Sequence, residues 1–141
     1  MIIGLTGSLA SGKGVVSDFL KEKGFVYLSL SGELRELAKN HNIEITRENL
    51  QNLGNRYREE RKNSFLAELV ANKIKMRQYS NVVVDGIRNP GEVDYLRDNL
   101  KNFFLVSIDA PKEERFKRMI ERNRESDPKT YADFLKVDDR D

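Results

Sequence analysis

The sequence predicts an α/β fold in which helices cover a parallel β-sheet, and three observations support this class. Short apolar runs alternate with longer segments whose apolar residues recur at helical spacing. The run Val82-Val83-Val84 is typical of a central parallel strand that is buried on both faces. Glycine or proline stands where elements change, as at Gly24 and Pro90. Alternating strands and helices form a parallel sheet with helices on both faces, which gives three layers.

The first elements follow from apolar periodicity and from the residues that end them. Ile2–Thr6 is an apolar run that predicts the first strand, and Lys13–Lys23 follows as a helix. Gly24 stands where glycine commonly ends a helix. A short second strand is predicted over Phe25–Leu28. Apolar residues on one face predict a helix over Gly32–Asn40.

The later elements have the same kinds of signal. Thr46 is expected to cap a helix, and Phe65–Arg77 carries apolar residues at helical spacing. The remaining predictions are the strand Val82–Asp85, a helix from Pro90 to about Asn99, the strand Phe103–Ile108, a helix from Pro111 to Arg122 and a short helix over Thr130–Val137. No repeat or linker interrupts this order, so residues 1–141 are interpreted as a single domain.

Composition excludes several classes of protein. Hydrophobic residues make up 38% of the 141 residues, without an apolar run long enough to cross a membrane. The absence of cysteine excludes a disulfide framework and a thiolate metal site. Because 25 basic residues face 23 acidic ones, the chain as a whole offers nucleic acid no strong field. Met1 leads straight into the first strand with no targeting leader, so a cytoplasmic location is expected.

The segment after the first strand has the pattern of a phosphate-binding loop. Gly7 and Gly12 bracket four residues, and Lys13 follows at the start of a helix. This spacing lets successive backbone N–H groups surround an anion while the lysine reaches the outer phosphates. The predicted ATP contacts are Gly7, Ser8, Leu9, Ala10, Ser11, Gly12, Lys13, Gly14 and Val15.

The expected metal is Mg²⁺, bound together with ATP. The serine or threonine that commonly follows the lysine and touches Mg²⁺ is replaced by Gly14, and Val15 comes next. Asp85 follows an apolar strand, where a carboxylate can hold Mg²⁺ or take a proton from an acceptor hydroxyl. The sequence therefore favours Mg²⁺ that Asp85 holds through water.

Three distant segments are expected to meet at one edge of the sheet. The loop Gly7–Lys13, the segment Ser29–Gly32 and the segment Asp85–Arg88 each follow a predicted strand. Ligands of parallel sheets bind outside the carboxyl ends of the strands. The three segments therefore predict one composite site.

These motifs resemble those of the P-loop nucleoside monophosphate kinases, together with adenylate-kinase-related and dephospho-coenzyme-A-kinase-like proteins. The loop Gly7–Gly14 is similar to the adenylate-kinase loop, in which glycine also follows the lysine, whereas Val15 departs from the threonine found there. Ser31-Gly32-Glu33-Leu34-Arg35 resembles the segment whose arginine binds the acceptor's phosphate, and Asp85-Gly86-Ile87-Arg88 is similar to a run that supplies a second such arginine. The resemblance implies a three-layer P-loop NTPase fold.

The resemblance also implies a lid. Arg115, Arg118 and Arg122, followed by Asp127 and Arg140, are similar to the segment whose arginines close over the transferring phosphoryl group. The lid is expected over about residues 112–140 and a helical acceptor-binding region over about residues 31–77. Members of this group usually continue with another strand and helix, so the sheet here is expected to lack the family's last strand.

The sequence thus predicts phosphoryl transfer from ATP, with Mg²⁺, to a small phosphorylated acceptor such as a nucleoside or deoxynucleoside monophosphate. The expected catalytic residues are Lys13, Asp85, Arg118 and Arg122, and the expected acceptor-binding residues are Ser31, Arg35 and Arg88. Two alternatives stay open. One is a kinase of the dephospho-coenzyme A type, for which Asp85 is the base that activates a hydroxyl. The other is a degenerate ATP- or dNTP-binding regulatory module without turnover, which Gly14 and Val15 favour.

Overall fold

The computed structural model describes residues 1–8, 10–124 and 127–140, and the side chains of these residues except at positions 139 and 140. Strands and helices alternate along this part of the chain. In chain order they are β1 (Ile2–Gly7), α1 (Lys13–Glu22), β2 (Val26–Ser29), α2 (Leu30–Asn40), α3 (Arg47–Glu60), α4 (Phe65–Arg77), β3 (Val82–Asp85), α5 (Pro90–Asn99), β4 (Phe103–Ile108), α6 (Lys112–Arg122) and α7 (Tyr131–Arg140).

The strands form one parallel sheet in the order β2-β3-β1-β4. Ile2 of β1 is in register with Val82 of β3 on one side and with Phe103 of β4 on the other. Because all pairings are parallel, the carboxyl ends of the strands lie along one edge. The predicted parallel sheet flanked by helices is confirmed.

The core fixes β3 at the centre of the sheet. Val82 and Val84 are fully buried in a cluster with Val70 of α4 and Leu96 of α5, whereas Val83 points to the opposite face, where α1 contacts β3. Each such side chain contributes about 1.5–3 kcal/mol when it is fully buried. The apolar run of β3 therefore holds Asp85, its last residue, at a fixed point on the sheet edge.

Two helices begin with side-chain caps that position the sheet edge. The side chain of Ser29 accepts a hydrogen bond from the backbone N–H of Gly32 at 2.9 Å, so α2 starts at Leu30 and not at the predicted Gly32. β2 therefore runs into α2 without a loop. At α5, Asn89 and Glu92 form a capping box around Pro90, which confirms the predicted helix start at that proline.

Within the described ranges, none of the helices has the length and apolar character that crossing a bilayer requires.

Candidate functional site

The loop between β1 and α1 turns closely against the end of β4. Gly7 has φ of 156°, and a Cβ at this position would lie 2.2 Å from the carbonyl oxygen of Ile108. Gly12 has φ of 105°, which glycine adopts at little cost, and α1 begins at the next residue. The positive end of the α1 dipole is therefore directed at the loop. Leu9, a predicted ATP contact, lies outside the described residues.

Two polar side chains of the loop, those of Lys13 and Ser11, differ in their hydrogen bonding. The Nζ of Lys13 donates a hydrogen bond to the carbonyl oxygen of Gly7 at 2.6 Å, so the ammonium lies over the loop. The hydroxyl of Ser11 is buried and has no hydrogen-bond partner among the described residues. A buried hydroxyl without a partner is costly, and an anion in the loop is a suitable acceptor for it.

The first turn of α1 has open space but no hydroxyl. A Cβ at Gly14 would have no atom within 4 Å, and Val15 is 76% exposed. The first hydroxyl of the helix belongs to Ser17, which is buried and donates to the carbonyl oxygen of Gly14 at 3.1 Å. The first turn of α1 therefore provides no free side-chain hydroxyl to a ligand at this loop.

Alanine at Gly7 and alanine at Gly14 are expected to affect the stability of the protein differently. Gly7→Ala is expected to lower the free energy of unfolding by about 1–3 kcal/mol, or the thermal midpoint by roughly 3–10 °C, because the new Cβ meets the backbone of β4. Gly14→Ala is the matched control, since alanine favours a helix and has open space here. Thermal unfolding of both variants checks this, and equal midpoints would contradict the role assigned to Gly7.

Asp85 ends β3 with both carboxylate oxygens hydrogen-bonded. Its Oδ1 accepts the backbone N–H of Gly86 at 2.8 Å, and its Oδ2 accepts the hydroxyl of Tyr27 at 2.7 Å. Burial, together with this hydrogen bond, raises the pKa of Tyr27 well above its usual value. The tyrosine therefore stays protonated and acts as a donor. A carboxylate oxygen can accept more than one hydrogen bond, so Asp85 can still bind a water.

The predicted acceptor residues lie on α2 and after β3. Ser31 donates a hydrogen bond to the hydroxyl of Ser29 at 3.4 Å, in the first turn of α2. Arg35 stands one turn later, and Arg88 follows β3. Both arginines are exposed and line the same cleft as Ser31.

Two predicted lid arginines reach the site from α6. The Nη1 of Arg118 donates to the carbonyl oxygen of Ser11 at 3.0 Å, so this side chain already contacts the phosphate-binding loop. Arg122 forms a bidentate pair with Asp127, with its Nε 2.7 Å and its Nη2 2.9 Å from the two carboxylate oxygens. The pair leaves Nη1 of Arg122 to contact other groups.

Asp127 connects the predicted lid segment to α3. Its Oδ1 also lies 3.4 Å from Nη2 of Arg47, at the start of α3. Burial acts to raise the pKa of Asp127, but the hydrogen bonds and charge of Arg122 and the charge of Arg47 outweigh it and hold the pKa below its usual value. The carboxylate is therefore charged at neutral pH and holds both arginines.

Arg115, the third arginine of the predicted lid, has a different environment. It is 4% exposed, and its guanidinium donates to the carbonyl oxygen of Ala110 and to both carboxylate oxygens of Asp138. These contacts join α6 to α7, so Arg115 maintains the fold of this segment. Arg140 belongs to α7, but its side chain lies outside the described part of the structure.

A single cleft of about 1390 Å³ brings these groups together. Its lining includes all of the sequence-predicted site residues that the structure describes, namely Gly7, Ser8, Ala10, Ser11, Gly12, Lys13, Gly14, Val15, Ser31, Arg35, Asp85, Arg88, Arg118 and Arg122. Among the described residues of the lining, nine are lysine or arginine and five are aspartate or glutamate. The near-neutral protein thus concentrates positive charge in one cleft, which favours anionic ligands.

Solved structures with the same fold define the class of protein. A gluconokinase from Sinorhizobium meliloti 1021 superposes with a TM-score of 0.59 at 17% identity, over 96% of this chain and 71% of the other. A shikimate kinase from Bacteroides thetaiotaomicron gives 0.56 at 14% identity, over 97% and 74%. Identities this low indicate the fold alone. The protein has a P-loop kinase-like fold.

Sequence comparison defines the family. A family model described as an AAA domain, AAA_18, matches residues 3–136. The UPF0200 protein of Pyrococcus abyssi is 37% identical over 100% of this chain and 78% of its own length, and that of Pyrococcus horikoshii is 34% identical over the same shares. The chain therefore belongs to the AAA_18 family, and it is a relative of the UPF0200 proteins.

Proposed function

We propose that this protein transfers the terminal phosphoryl group of ATP to a small phosphorylated acceptor, a nucleoside or deoxynucleoside monophosphate. The observation that carries the proposal is the excess of basic side chains in a cleft that contains a phosphate-binding loop. Phosphoryl transfer between two anionic substrates requires that positive groups position them and offset their mutual repulsion. The cleft as a whole has this composition.

The donor side is formed by the loop and α1. Lys13 would exchange its contact with Gly7 for the outer phosphates of ATP, and the backbone N–H groups at the helix start would bind the others. The unpartnered hydroxyl of Ser11 gains an acceptor in the same step. Each of these contacts favours a bound polyphosphate over the empty loop.

Asp85 is the proposed anchor for Mg²⁺, through water. Mg²⁺ usually binds proteins through one or two carboxylates and completes its shell with waters and substrate phosphates. The residues fit this pattern, since Asp85 lines the cleft, while the described residues include no group of three metal-binding side chains. When bound, Mg²⁺ supplies charge neutralisation on the transferring phosphates.

The acceptor side is proposed to combine charged groups with apolar surface. Arg35 and Arg88 are proposed to bind the acceptor's phosphate by the bidentate contacts that guanidinium groups make, with Ser31 beside them. Leu34 and Leu50 line the same cleft and offer apolar surface to an organic group. This combination suits a small organic phosphate better than inorganic phosphate.

Arg118 and Arg122 are proposed to stabilise the charge that spreads over the transferring group. Both lie in the cleft, and Asp127 holds Arg122 while leaving Nη1 to contact a phosphate. A phosphate acceptor is already anionic and requires no general base. The catalysis proposed here is therefore positioning and electrostatic stabilisation.

A hydroxyl acceptor is a second candidate, because Asp85 can still accept a proton. Its carboxylate lies at the strand end in the cleft and is held rigidly by Gly86 and Tyr27. With a hydroxyl acceptor, Asp85 would take the proton while the oxygen attacks phosphorus. Asp85→Asn distinguishes the two, because a phosphate acceptor is expected to retain substantial turnover at saturating Mg²⁺ and a hydroxyl acceptor is expected to lose it.

The deciding experiment is an acceptor panel with ATP and Mg²⁺. Nucleoside monophosphates, deoxynucleoside monophosphates and dephospho-coenzyme A are each supplied, and both ADP release and the phosphorylated product are measured. Acceptor-dependent formation of a nucleoside diphosphate is the expected result. ATP binding without any acceptor-dependent product would overturn the proposal and indicate a nucleotide-binding module without turnover.

The arginines of the acceptor side give a prediction of their own. Arg35→Ala and Arg88→Ala are each expected to raise the acceptor KM by about tenfold or more while changing the ATP KM little, because their contacts are made with the acceptor. Lys39→Ala on α2 is the matched control, since it removes a positive charge outside the cleft lining. Steady-state kinetics with each substrate varied checks this. Equal effects on both substrates would mean that the two arginines are structural.

A further inference from the structure

Arg58 of α3 is a cleft residue that no sequence motif includes. Its side chain is 16% exposed and lines the same cleft as Arg35 and Arg88. Within the described part of the chain, the hydrogen bond of its guanidinium is the one from Nη2 to Oε2 of Glu92, at 3.4 Å. Its Nε is buried and has no hydrogen-bond partner there. Because a guanidinium carries five N–H donors, most of its donors lack a protein acceptor.

Arg115 differs from Arg58 in its hydrogen bonding, and it serves as an example of an arginine with a structural role in this fold. Arg115 is also largely buried, but its donors are used by Ala110 and by both oxygens of Asp138. Buried donors without acceptors cost free energy, and native proteins rarely leave them so. The oxygens of an anionic ligand in the cleft are the acceptors that Arg58 lacks.

Glu92 ties Arg58 to the loop that carries Arg88. This carboxylate is fully buried, and its Oε1 accepts the backbone N–H groups of Arg88 at 2.8 Å and of Asn89 at 3.2 Å. Its other oxygen contacts Arg58. Gly54, one turn before Arg58, leaves room for the guanidinium, because a Cβ there would lie 3.2 Å from its Nη1. A single buried acid thus holds a basic head group beside the proposed acceptor site.

We propose that Arg58 is a further ligand of the acceptor's phosphate and that Glu92 is its positioning residue. The inference rests on the proposed function for the nature of the acceptor. It adds a binding group from α3 to those from α2 and from the loop after β3. The phosphate is then contacted from three elements, which fixes its orientation toward the donor.

The test measures binding directly, so that it does not depend on turnover. The probes are the four common ribonucleoside 5′-monophosphates and inorganic phosphate, titrated into the ADP-bound protein by calorimetry. The Arg58 Nε–H signal is followed by ¹⁵N NMR and assigned by its loss in Arg58→Lys. The chemical shift of this signal is expected to change as the probe is added. For at least one probe, this change should saturate at the same probe concentration as the heat of binding measured by calorimetry.

The variants separate binding from stability. Arg58→Lys keeps a cation near Glu92 but lacks the planar fork, so it is expected to retain the thermal midpoint and to weaken binding of the monophosphate by about tenfold. Arg56→Ala, on the exposed side of the same helix, is the matched control and is expected to bind normally. Glu92→Gln can still accept at the capping box, and it is expected to shift the free Arg58 signal and weaken monophosphate binding without changing ADP binding.

The outcomes distinguish this inference from the proposed function. An Arg58 signal that stays unmoved when a monophosphate binds would overturn the inference, as would a normal affinity in Arg58→Lys or the failure of every probe to bind. Binding with a moving Arg58 signal but no phosphoryl transfer would support the inference while the proposed function fails. Transfer to a monophosphate with an unmoved signal would support the proposed function and overturn the role of Arg58.

Discussion

Lys13→Ala is expected to weaken ATP binding by about 1.5–3 kcal/mol, roughly 10- to 150-fold, as is typical for the loss of hydrogen bonds to charged groups. The Nζ of Lys13 now donates to the carbonyl oxygen of Gly7. Transfer of the ammonium from a neutral carbonyl to an anionic phosphate is the favourable step that alanine cannot make. Calorimetry with ATP and Mg²⁺ measures the change.

Lys23→Ala is the matched control for this variant. Lys23 ends α1 at the far end from the loop and lies outside the cleft lining, so its removal changes the net charge by the same amount without touching the site. The thermal midpoint of both variants should stay close to that of the parent. If Lys13→Ala and the parent bind ATP equally well, the loop does not hold the nucleotide in the proposed way.

The fold and the loop could be predicted because their signals are local in the sequence. The run Val82-Val83-Val84 indicates a buried strand from its own residues, and the spacing of Gly7, Gly12 and Lys13 indicates an anion site without knowledge of any other segment. The parallel pairing of alternating strands and helices then brings the strand ends together. These local signals, combined with the rule that ligands bind at the carboxyl ends of parallel strands, are sufficient to predict the fold and the position of the loop.

The rest of the site could not be predicted because it depends on contacts between distant segments. Arg115 and Arg118 stand on one helix three residues apart and look alike in the sequence, yet Arg115 pairs with Asp138 and Arg118 contacts the loop at Ser11. Arg58 looks like one of several basic residues on a charged helix. Its significance follows from Glu92, 34 positions later, which places its head group beside the cleft.

The hydrogen bond between Tyr27 and Asp85 could not be predicted from the sequence either, for a related reason. Tyr27 belongs to β2 and Asp85 to β3, and the parallel register pairs Ser29 with Asp85. The pattern around Tyr27 indicates a strand, but the neighbour of that strand in the sheet is known only from the folded structure.

The other large effect is expected at the lid, where Arg118→Ala or Arg122→Ala should lower kcat on the order of 10²- to 10³-fold. The contacts of these arginines with the transferring group would form mainly in the transition state, so ATP affinity should change little. Each side chain already has a partner in the cleft, the Ser11 carbonyl for Arg118 and the Asp127 carboxylate for Arg122. Lys117→Ala is the matched control, because Lys117 is exposed on the same helix and lies outside the cleft lining. Single-turnover kinetics and ATP titrations separate the two quantities.

Hydrogen exchange tests whether the same segment moves as a lid. Exchange over residues 112–124 and 127–140 should slow markedly when a bisubstrate analogue binds, while β1 and β3 should barely change, because closure excludes water from the phosphates before transfer. The pair between Asp127 and Arg47 joins the lid to α3 across the cleft at 3.4 Å, a distance that a closing motion can shorten. Asp127→Asn removes the charge of this contact and should reduce the protection that the analogue confers on the lid. Equal protection with and without the analogue, or an intact kcat in both arginine variants, would place Arg118 and Arg122 among the groups that only stabilise the fold.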